Sequence, residues 1–273
     1  MRKWWMVTGF LLLLGGCVKE TTWPPQQGLP DVPVVDAILT NEAGVQRITL
    51  SRPVAEVNQL PQPFTGAAVM ISHDDSAWQL NEDTLRHGNY CTPAWFAARL
   101  GKNYTLLISS GGKVWTAKAV MEQGQEFNEL HYKYNDDKGL YYVDWVANAF
   151  STGPAAMWEL LIDWSAVPGY DGRDSTDTHA RLLFYTLPTL DVSEVFAPMM
   201  ESVYFPAGAW IEERRYSLTP QHAEYIREVL LETRWTGGLF PVASSNATGN
   251  VSGGALGYFG ACWVNKLSVV VTP

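Results

Sequence analysis

The chain has 273 residues, 47% of them hydrophobic and 17% charged, which favours a folded core and excludes an intrinsically disordered protein. It contains 28 acidic and 19 basic residues. An acidic excess of this size argues against binding to nucleic acid or to an anionic bilayer through the protein's own surface.

The first residues have the parts of a bacterial secretory signal. Arg2 and Lys3 precede a short apolar run, which ends in the motif Leu14-Gly15-Gly16-Cys17. This run is shorter than the ~20 residues that a membrane-spanning helix needs. The motif resembles a lipobox, in which the cysteine receives a diacylglyceryl group and becomes the new N-terminus. We therefore predict a signal peptide over residues 1–16 and lipidation at Cys17, in preference to an ordinary signal that contains a cysteine.

Residues 17–32 form the predicted lipidated cysteine and a flexible tether, because three prolines and a glycine lie there among polar residues. Lys19-Glu20 resembles the surface-export signal of Bacteroidota lipoproteins, and a chance charged pair fits it equally well. Without the signal peptide, 17 basic and 28 acidic residues remain, a net charge of −11. The lipid must therefore supply the attachment to the membrane.

The region 33–123 reads as short strands between turn signals, which is typical of an immunoglobulin-like β-sandwich. Val34 to Leu39 is apolar, and Val45 to Leu50 alternates apolar and polar residues. Tyr104 to Ile108 and Val114 to Met121 flank Ser-Ser-Gly-Gly, which predicts a hairpin.

We predict that residues 124–273 form a larger, mainly-β module with one packed α-helix near 220–234. Thr219 suits the N-cap of this helix, Pro220 suits its first turn, and the apolar residues from Ala223 onward share one face. Gly237-Gly238 would stop it. The predicted fold class is therefore mainly β in both parts.

The remaining cysteines, Cys91 and Cys262, lie 171 residues apart in the sequence. An exported protein can form a disulfide, so the two interpretations are one bridge or two buried thiols. Two cysteines without clustered histidines do not make a zinc site.

Catalytic motifs do not stand out in this sequence. The nucleophile elbow, the His-Glu-x-x-His zinc motif and the phosphate-binding loop are absent, and the five histidines are scattered. Asp171, Asp174 and Asp177 could offer oxygen ligands to calcium, but their spacing is not that of an EF-hand. We favour a solvated acidic loop, and we expect a protein without enzymatic activity, cofactor or metal.

Ten tryptophans remain after removal of the signal. Trp115, Trp145, Trp158 and Trp164 sit within strand patterns, where packing in the core is the usual role. Trp78, Trp95 and Trp210 have a loop-like context, so we predict them as a possible contact surface.

The C-terminal blocks Gly237-Gly238-Leu239-Phe240-Pro241, Thr248-Gly249-Asn250-Val251 and Leu256-Gly257-Tyr258-Phe259-Gly260-Ala261 are distinctive. Together with Val35 to Asn41 and Tyr104 to Ile108, they resemble domain-of-unknown-function family 4249. This resemblance implies an outer-membrane lipoprotein of Bacteroidota whose relatives are typically encoded beside TonB-dependent transporters. It implies no catalytic residues. We interpret the glycines of these blocks as packing a final hairpin against the helix, in preference to a ligand-binding loop.

These observations lead to one functional hypothesis and one alternative. The first is a non-enzymatic lipoprotein that is anchored in the outer membrane. We expect it to face the cell surface in preference to the periplasm. It would act as an accessory or capping subunit of a TonB-dependent nutrient transporter. The alternative is a free-standing surface adhesin or glycan-binding lipoprotein. The nutrient, the partner barrel and the facing of the protein are not encoded in any motif.

Overall fold

The computed structural model describes residues 31–54, 59–74, 76–124, 130–145, 154–187, 203–233 and 247–273. The predicted signal peptide, Cys17 and most of the tether lie outside these residues, as do Gly237 and Gly238. The strands, in chain order, are β1 Val34–Thr40, β2 Arg47–Ser51, β3 Ala68–His73, β4 Ser76–Glu82, β5 Asn89–Cys91, β6 Asn103–Ser110, β7 Lys113–Val120, β8 His131–Asn135, β9 Leu140–Trp145, β10 Ala156–Asp163, β11 His179–Thr186, β12 Tyr204–Phe205, β13 Trp210–Ser217, β14 Leu256–Cys262 and β15 Val264–Val270. The helices are α1 Ser175–Thr178 and α2 Pro220–Thr233.

The described residues are mainly β, which confirms the predicted fold class, whereas the immunoglobulin-like detail stays a prediction. They form three sheets, with the strand orders β14-β1-β2-β5-β4-β3-β6-β7, β11-β10-β13-β15 and β12-β9-β8. None of the helices in the described part of the chain has both the length and the hydrophobicity that crossing a bilayer requires.

The eight-stranded sheet buries one face of each strand, as the alternating pattern of β1 and β2 predicts. Val35, Leu39, Ile48 and Leu50 all point into this core and are at most 1% exposed. The predicted hairpin is confirmed as β6 and β7, which pair antiparallel along their whole length. Gly111 and Gly112 make its two-residue turn with positive φ angles of 56° and 77°, a conformation that glycine adopts without strain.

The two edge strands of this sheet, β7 and β14, meet through the segment 247–252. Within that segment, Val251 forms a bridge with Ala117 of β7. The Asn250 side chain donates to the carbonyls of Lys118 and Phe259, at 2.9 and 2.8 Å, and accepts from the Phe259 N–H at 2.9 Å. One amide therefore satisfies backbone groups on both sides of the seam between the edges.

The direction of the strands defines two ends of the sheet. β1 starts at Val34 and β14 runs parallel to it, so Asp31 and the turn at 253–255 lie at one end, which we call the tether end. The connection 52–67 and the turn 83–88 lie there too, because β2 and β4 run antiparallel to their neighbours. The loops 41–46 and 92–102 lie at the opposite end, which we call the distal end.

The last two strands do not form the predicted hairpin. β14 pairs in parallel with β1, whereas β15 pairs antiparallel with β13 of the four-stranded sheet. Only Trp263 separates them, and one residue is too short for a hairpin turn. The backbone of Trp263 instead hydrogen-bonds to Ser217, with its carbonyl accepting at 2.9 Å and its N–H donating to Oγ at 2.8 Å. The chain thus passes directly from one sheet to the other.

The four-stranded sheet has an apolar face and a charged face. The apolar face packs Trp158, Leu160 and Ile162 against side chains of the three-stranded sheet. Glu213 lies on this same face, 1% exposed and without a hydrogen-bond partner among the described residues. Burial raises the pKa of Glu213 to about 7, because removal from water disfavours the ionised carboxylate.

The charged face carries a network that reaches the eight-stranded sheet. Glu159 accepts hydrogen bonds from Tyr216 and Arg181 at 2.7 and 2.6 Å. Burial opposes ionisation, but these two bonds and the positive charges of Arg181 and Arg214 together outweigh it and lower the pKa of Glu159. Arg214 pairs with both Glu159 and Glu42, and Glu42 lies in the distal loop after β1. The network therefore links the two sheets on the side away from the tether.

Candidate functional site

A cleft of about 370 Å³ lies where β7, β14 and the start of α2 converge. Its lining combines polar and apolar side chains: Asn103, Lys118, Ala119, Val120, Glu122, Thr219, Pro220, Gln221, His222, Tyr258, Gly260 and Ala261. We take this cleft as the candidate ligand site, because it combines a concave shape with polar groups that converge on it.

The first turn of α2 sets the position of the buried His222 beside this cleft. Thr219 caps the helix as predicted, with its hydroxyl accepting from the His222 N–H at 3.2 Å. The His222 ring lies flat against Gly260, where a Cβ atom would come within 2.6 Å of the ring. Tyr258 stacks on His222, with ring centroids 4.5 Å apart, and also on Tyr225 at 4.8 Å. A glycine in β14 thus makes room for an aromatic stack beneath the helix.

His222 and Cys262 form a pair that resembles a catalytic dyad but has the wrong protonation. Nδ1 of His222 lies 3.7 Å from Sγ of Cys262. Burial lowers the pKa of His222 to about 4 and raises the pKa of Cys262 to about 12, so both groups are neutral at pH 7. A nucleophilic thiolate needs the opposite environment, with positive charge and access to water. The two neutral groups instead share one weak hydrogen bond between Sγ and Nδ1.

The lining of the cleft also carries groups that can bind a ligand. Its exposed rim offers one cation, Lys118, and one anion, Glu122, together with the amides of Asn103 and Gln221. These groups can hydrogen-bond a small polar molecule while the aromatic stack forms the floor. Sequence reasoning missed this site, since His222 carries no motif. The available signal was Gly260, two residues after Tyr258 on the same side of an alternating strand.

The distal end carries a second candidate surface, the distal patch, formed by Val45, Trp95 and Leu100. Their side chains are 44%, 68% and 43% exposed. The two loops that hold them are joined by hydrogen bonds from Gly44 N–H to the Phe96 carbonyl, at 3.0 Å, and from Gln46 N–H to Thr92 Oγ1, at 2.9 Å. The loop backbone is thus well fixed beneath the exposed apolar groups.

The three tryptophans predicted as a contact surface occupy different environments. Trp95 is the exposed one on the distal patch. Trp78 lies within β4 rather than in a loop, because β4 pairs with β3, and its half-buried ring packs on Phe96 at 5.2 Å. Trp210 starts β13 in the four-stranded sheet and is 40% exposed. The structure therefore brings Trp78 beneath the Trp95 loop and puts Trp210 on another sheet.

The tryptophans predicted for the core behave differently from Trp95. Trp115, Trp158 and Trp164 are 2%, 2% and 7% exposed, which confirms their packing role. The side chain of Trp145 lies outside the described residues.

The weak metal candidates Asp171, Asp174 and Asp177 are all exposed around the short helix α1. In the described ranges, no three histidine, cysteine, aspartate or glutamate side chains are grouped so that they could hold a metal ion.

Cys91 and Cys262 are free thiols, the first half-buried in β5 and the second buried in β14. In the sheet, β1 and β2 lie between those strands, a separation of about 14 Å at ~4.8 Å per strand. A disulfide between them would need the backbone to move, because Cα atoms more than ~7 Å apart cannot be bridged.

Comparison with known proteins identifies the family. The profile described as Domain of unknown function (DUF4249) matches residues 25–268, which is most of the chain. The chain therefore belongs to this family, as the C-terminal glycine blocks suggested. No curated protein matches the sequence.

Proposed function

We propose that this member of the DUF4249 family is a non-enzymatic lipoprotein, anchored at the outer membrane through Cys17, that serves as an accessory or capping subunit of a TonB-dependent nutrient transporter. The lipobox motif supports the anchor. The family resemblance supports the transporter, since relatives are typically encoded beside such barrels. The proposed location is the cell surface.

The observation that carries the partner-binding role is the distal patch. A tryptophan that is 68% exposed is costly to leave in water, and tryptophan is enriched among residues that dominate binding energy. The hydrogen bonds between its two loops reduce the entropy that binding would otherwise cost. The patch lies opposite the tether, where a partner has access while the lipid remains in the membrane.

The chemistry of the cleft supports the non-enzymatic part. The imidazole of His222, which lines the cleft, and the neighbouring Cys262 thiol are both neutral, and no charge among the described residues activates either of them. Within this proposal the cleft contributes recognition of a small polar nutrient. Its rim combines two amides with one cation and one anion, a set that suits polar ligands such as short peptides or sugars.

The test is copurification from detergent-solubilised membranes, with mass spectrometry of the proteins retained. Wild-type protein should retain a barrel in stoichiometric amount, and Trp95→Ala should lose most of it without a change in melting temperature. The matched control is Trp210→Ala, which removes an exposed tryptophan from the other sheet and should retain the barrel. A wild-type protein that is always recovered alone would contradict the proposal.

The alternative is a surface adhesin or glycan-binding lipoprotein, in which Trp95 stacks on sugar rings. A protein that purifies alone but binds glycans on an array, with binding lost in Trp95→Ala, would favour it. Retention of the barrel together with no glycan binding would favour the transporter subunit.

A further inference from the structure

The tether end carries the two most exposed large hydrophobic side chains of the described residues. Leu85 is 91% exposed in the turn between β4 and β5, and Leu60 is 84% exposed in the connection between β2 and β3. Neither side chain contributes to the core, to the cleft or to the distal patch. Each would lose unfavourable contact with water if an apolar medium received it.

Both leucines project from turns that are held in place. The Asp83 carboxylate accepts from the N–H groups of Leu85 and Arg86, at 2.9 and 3.3 Å, which fixes the tip of the first turn. The second connection is anchored to the sheet where Arg52 N–H donates to the Gln62 carbonyl at 2.8 Å. The two turns are neighbours, because a Cβ atom at Gly88 would come within 2.9 Å of Pro63.

The start of the described chain is held at this same end. The Asp31 carboxylate pairs with Arg52, and the Asp31 carbonyl accepts from Lys113 Nζ at 3.2 Å. Thirteen residues lie between Cys17 and Asp31, so the two Cα atoms can be at most about 50 Å apart when the chain is fully extended. The chain that leads from Cys17 therefore enters the folded part at the tether end, beside the two leucines.

Charge distinguishes this end from the rest of the acidic protein. The described loops and strand ends there carry three basic and three acidic side chains: Arg52, Arg86, Lys113, Asp31, Glu82 and Asp83. The described part of this end is thus close to neutral, whereas the mature chain would carry a net charge of −11. A neutral end can approach an anionic leaflet without the repulsion that the remaining surface would meet.

We propose that the tether end is a membrane-contacting surface, in which Leu60 and Leu85 insert at the boundary between headgroups and acyl chains. This inference rests on the proposed lipid anchor at Cys17. Two leucines on separate projecting turns can each insert into a lipid layer, because mobile acyl chains can pack around a single side chain. A protein partner would more often be met by aromatic or arginine anchors in one continuous patch.

Contact at this end would also fix the orientation of the protein. The lipid alone leaves the body free to rotate on its tether, whereas the two leucines add contact points beside it. The distal patch would then face away from the membrane.

The experiment uses the lipidated full-length protein in vesicles of phosphatidylethanolamine and phosphatidylglycerol. A Cys91→Ser background removes the half-buried thiol, and Cys262 is fully buried. Leu85→Cys in this background is labelled with an environment-sensitive fluorophore, and quenching by lipids brominated along the acyl chain is measured. Trp95→Cys, labelled at the distal end, is the matched control.

We expect strong quenching at position 85 and little at position 95. If the protein floated normally with the vesicles but showed no quenching at position 85, this inference would be overturned and the anchor would stand. Equal quenching at both positions would overturn it too, because the body would then have no fixed orientation. Loss of flotation with an unmodified Cys17 would overturn the anchor itself, and this inference with it.

Discussion

Gly257 gives the sharpest test of how β14 docks on β1. Its φ angle is +87°, and a Cβ atom there would lie 2.0 Å from the Val35 carbonyl oxygen and 2.7 Å from the Val35 nitrogen. Gly257→Ala therefore combines two costs, a left-handed backbone and a collision with the backbone of the neighbouring strand. Gly257→Val adds a branched side chain to both.

Two nearby glycines allow the cost of the backbone strain and the cost of the collision to be measured separately. Gly254 has a φ angle of +75° and open space around it, so Gly254→Ala should cost only the conformational strain, about 1 kcal/mol. Gly249 lacks a positive φ angle, but a Cβ atom there would lie 2.1 Å from the Gly257 carbonyl oxygen. Gly249→Ala thus measures the collision alone.

We expect Gly257→Ala to cost about 3–5 kcal/mol. The strain contributes about 1 kcal/mol, and the rest arises because β14 must shift and weaken several backbone hydrogen bonds, each worth about 0.5–1.5 kcal/mol net. Urea unfolding followed by tryptophan fluorescence gives the free energy of unfolding for the three variants. If Gly257→Ala cost no more than Gly254→Ala, the register of β14 against β1 would be wrong. If Gly257→Ala left the melting temperature unchanged but abolished copurification of a partner, these glycines would belong to a binding loop instead.

Three further predictions follow from named contacts. Asn250→Ala should cost about 2–3 kcal/mol in urea unfolding, because three backbone groups lose their partner at the seam; a loss below 0.5 kcal/mol would mean that the seam is not held by this amide. Burial lowers the pKa of His222 to about 4, so this residue should make the protein less stable as pH falls below 6.5, by about 2 kcal/mol at pH 5. Burial raises the pKa of Glu213 to about 7, so this residue should make the protein less stable as pH rises from 4.5 to 7. His222→Gln and Glu213→Gln should therefore change the slope of stability against pH in opposite directions, and parallel slopes would contradict this. Cys17→Ser should leave the protein uncleaved or soluble, and normal detergent-phase partitioning of this variant would rule out lipidation.

Local signals predicted the elements that local chemistry determines. The Gly111-Gly112 turn allows few arrangements of its flanking strands, so the β6–β7 hairpin was visible in the sequence. The Thr219 cap and Pro220 likewise marked the start of α2. These predictions needed no knowledge of the rest of the chain.

Elements that depend on distant partners could not be predicted in this way. β13 has the sequence Trp-Ile-Glu-Glu-Arg-Arg-Tyr-Ser. Its four consecutive charged residues remove the alternation of apolar and polar residues that would predict a strand. Arg214 becomes favourable there only once Glu42 and Glu159 surround it. The glycines of β14 suggest a hairpin in the sequence, because nothing local reveals a parallel partner more than 200 residues earlier in the chain.

The cleft was missed for the same reason. His222, Tyr258 and Cys262 are unremarkable as single residues, and only the packing of α2 over β14 brings them together. The sequence around Trp95 indicates a loop, and the structure places its exposed side chain in the loop between β5 and β6. The polar residues around Trp78 suggest a loop as well, but the β3–β4 pairing places it in a strand.

The parallel pairing of β1 with β14 has a consequence for how the chain is made. β1 is one of the first strands to emerge from the ribosome, yet one of its two neighbours is not synthesised until residue 262. The long loop that this pairing closes makes the sheet slow to complete, and until then one side of β1 stays an open edge. Vectorial folding from the N-terminus therefore cannot finish the eight-stranded sheet. For the lipoprotein proposed above, this delay keeps the chain incompletely folded during synthesis, as export through a narrow channel requires.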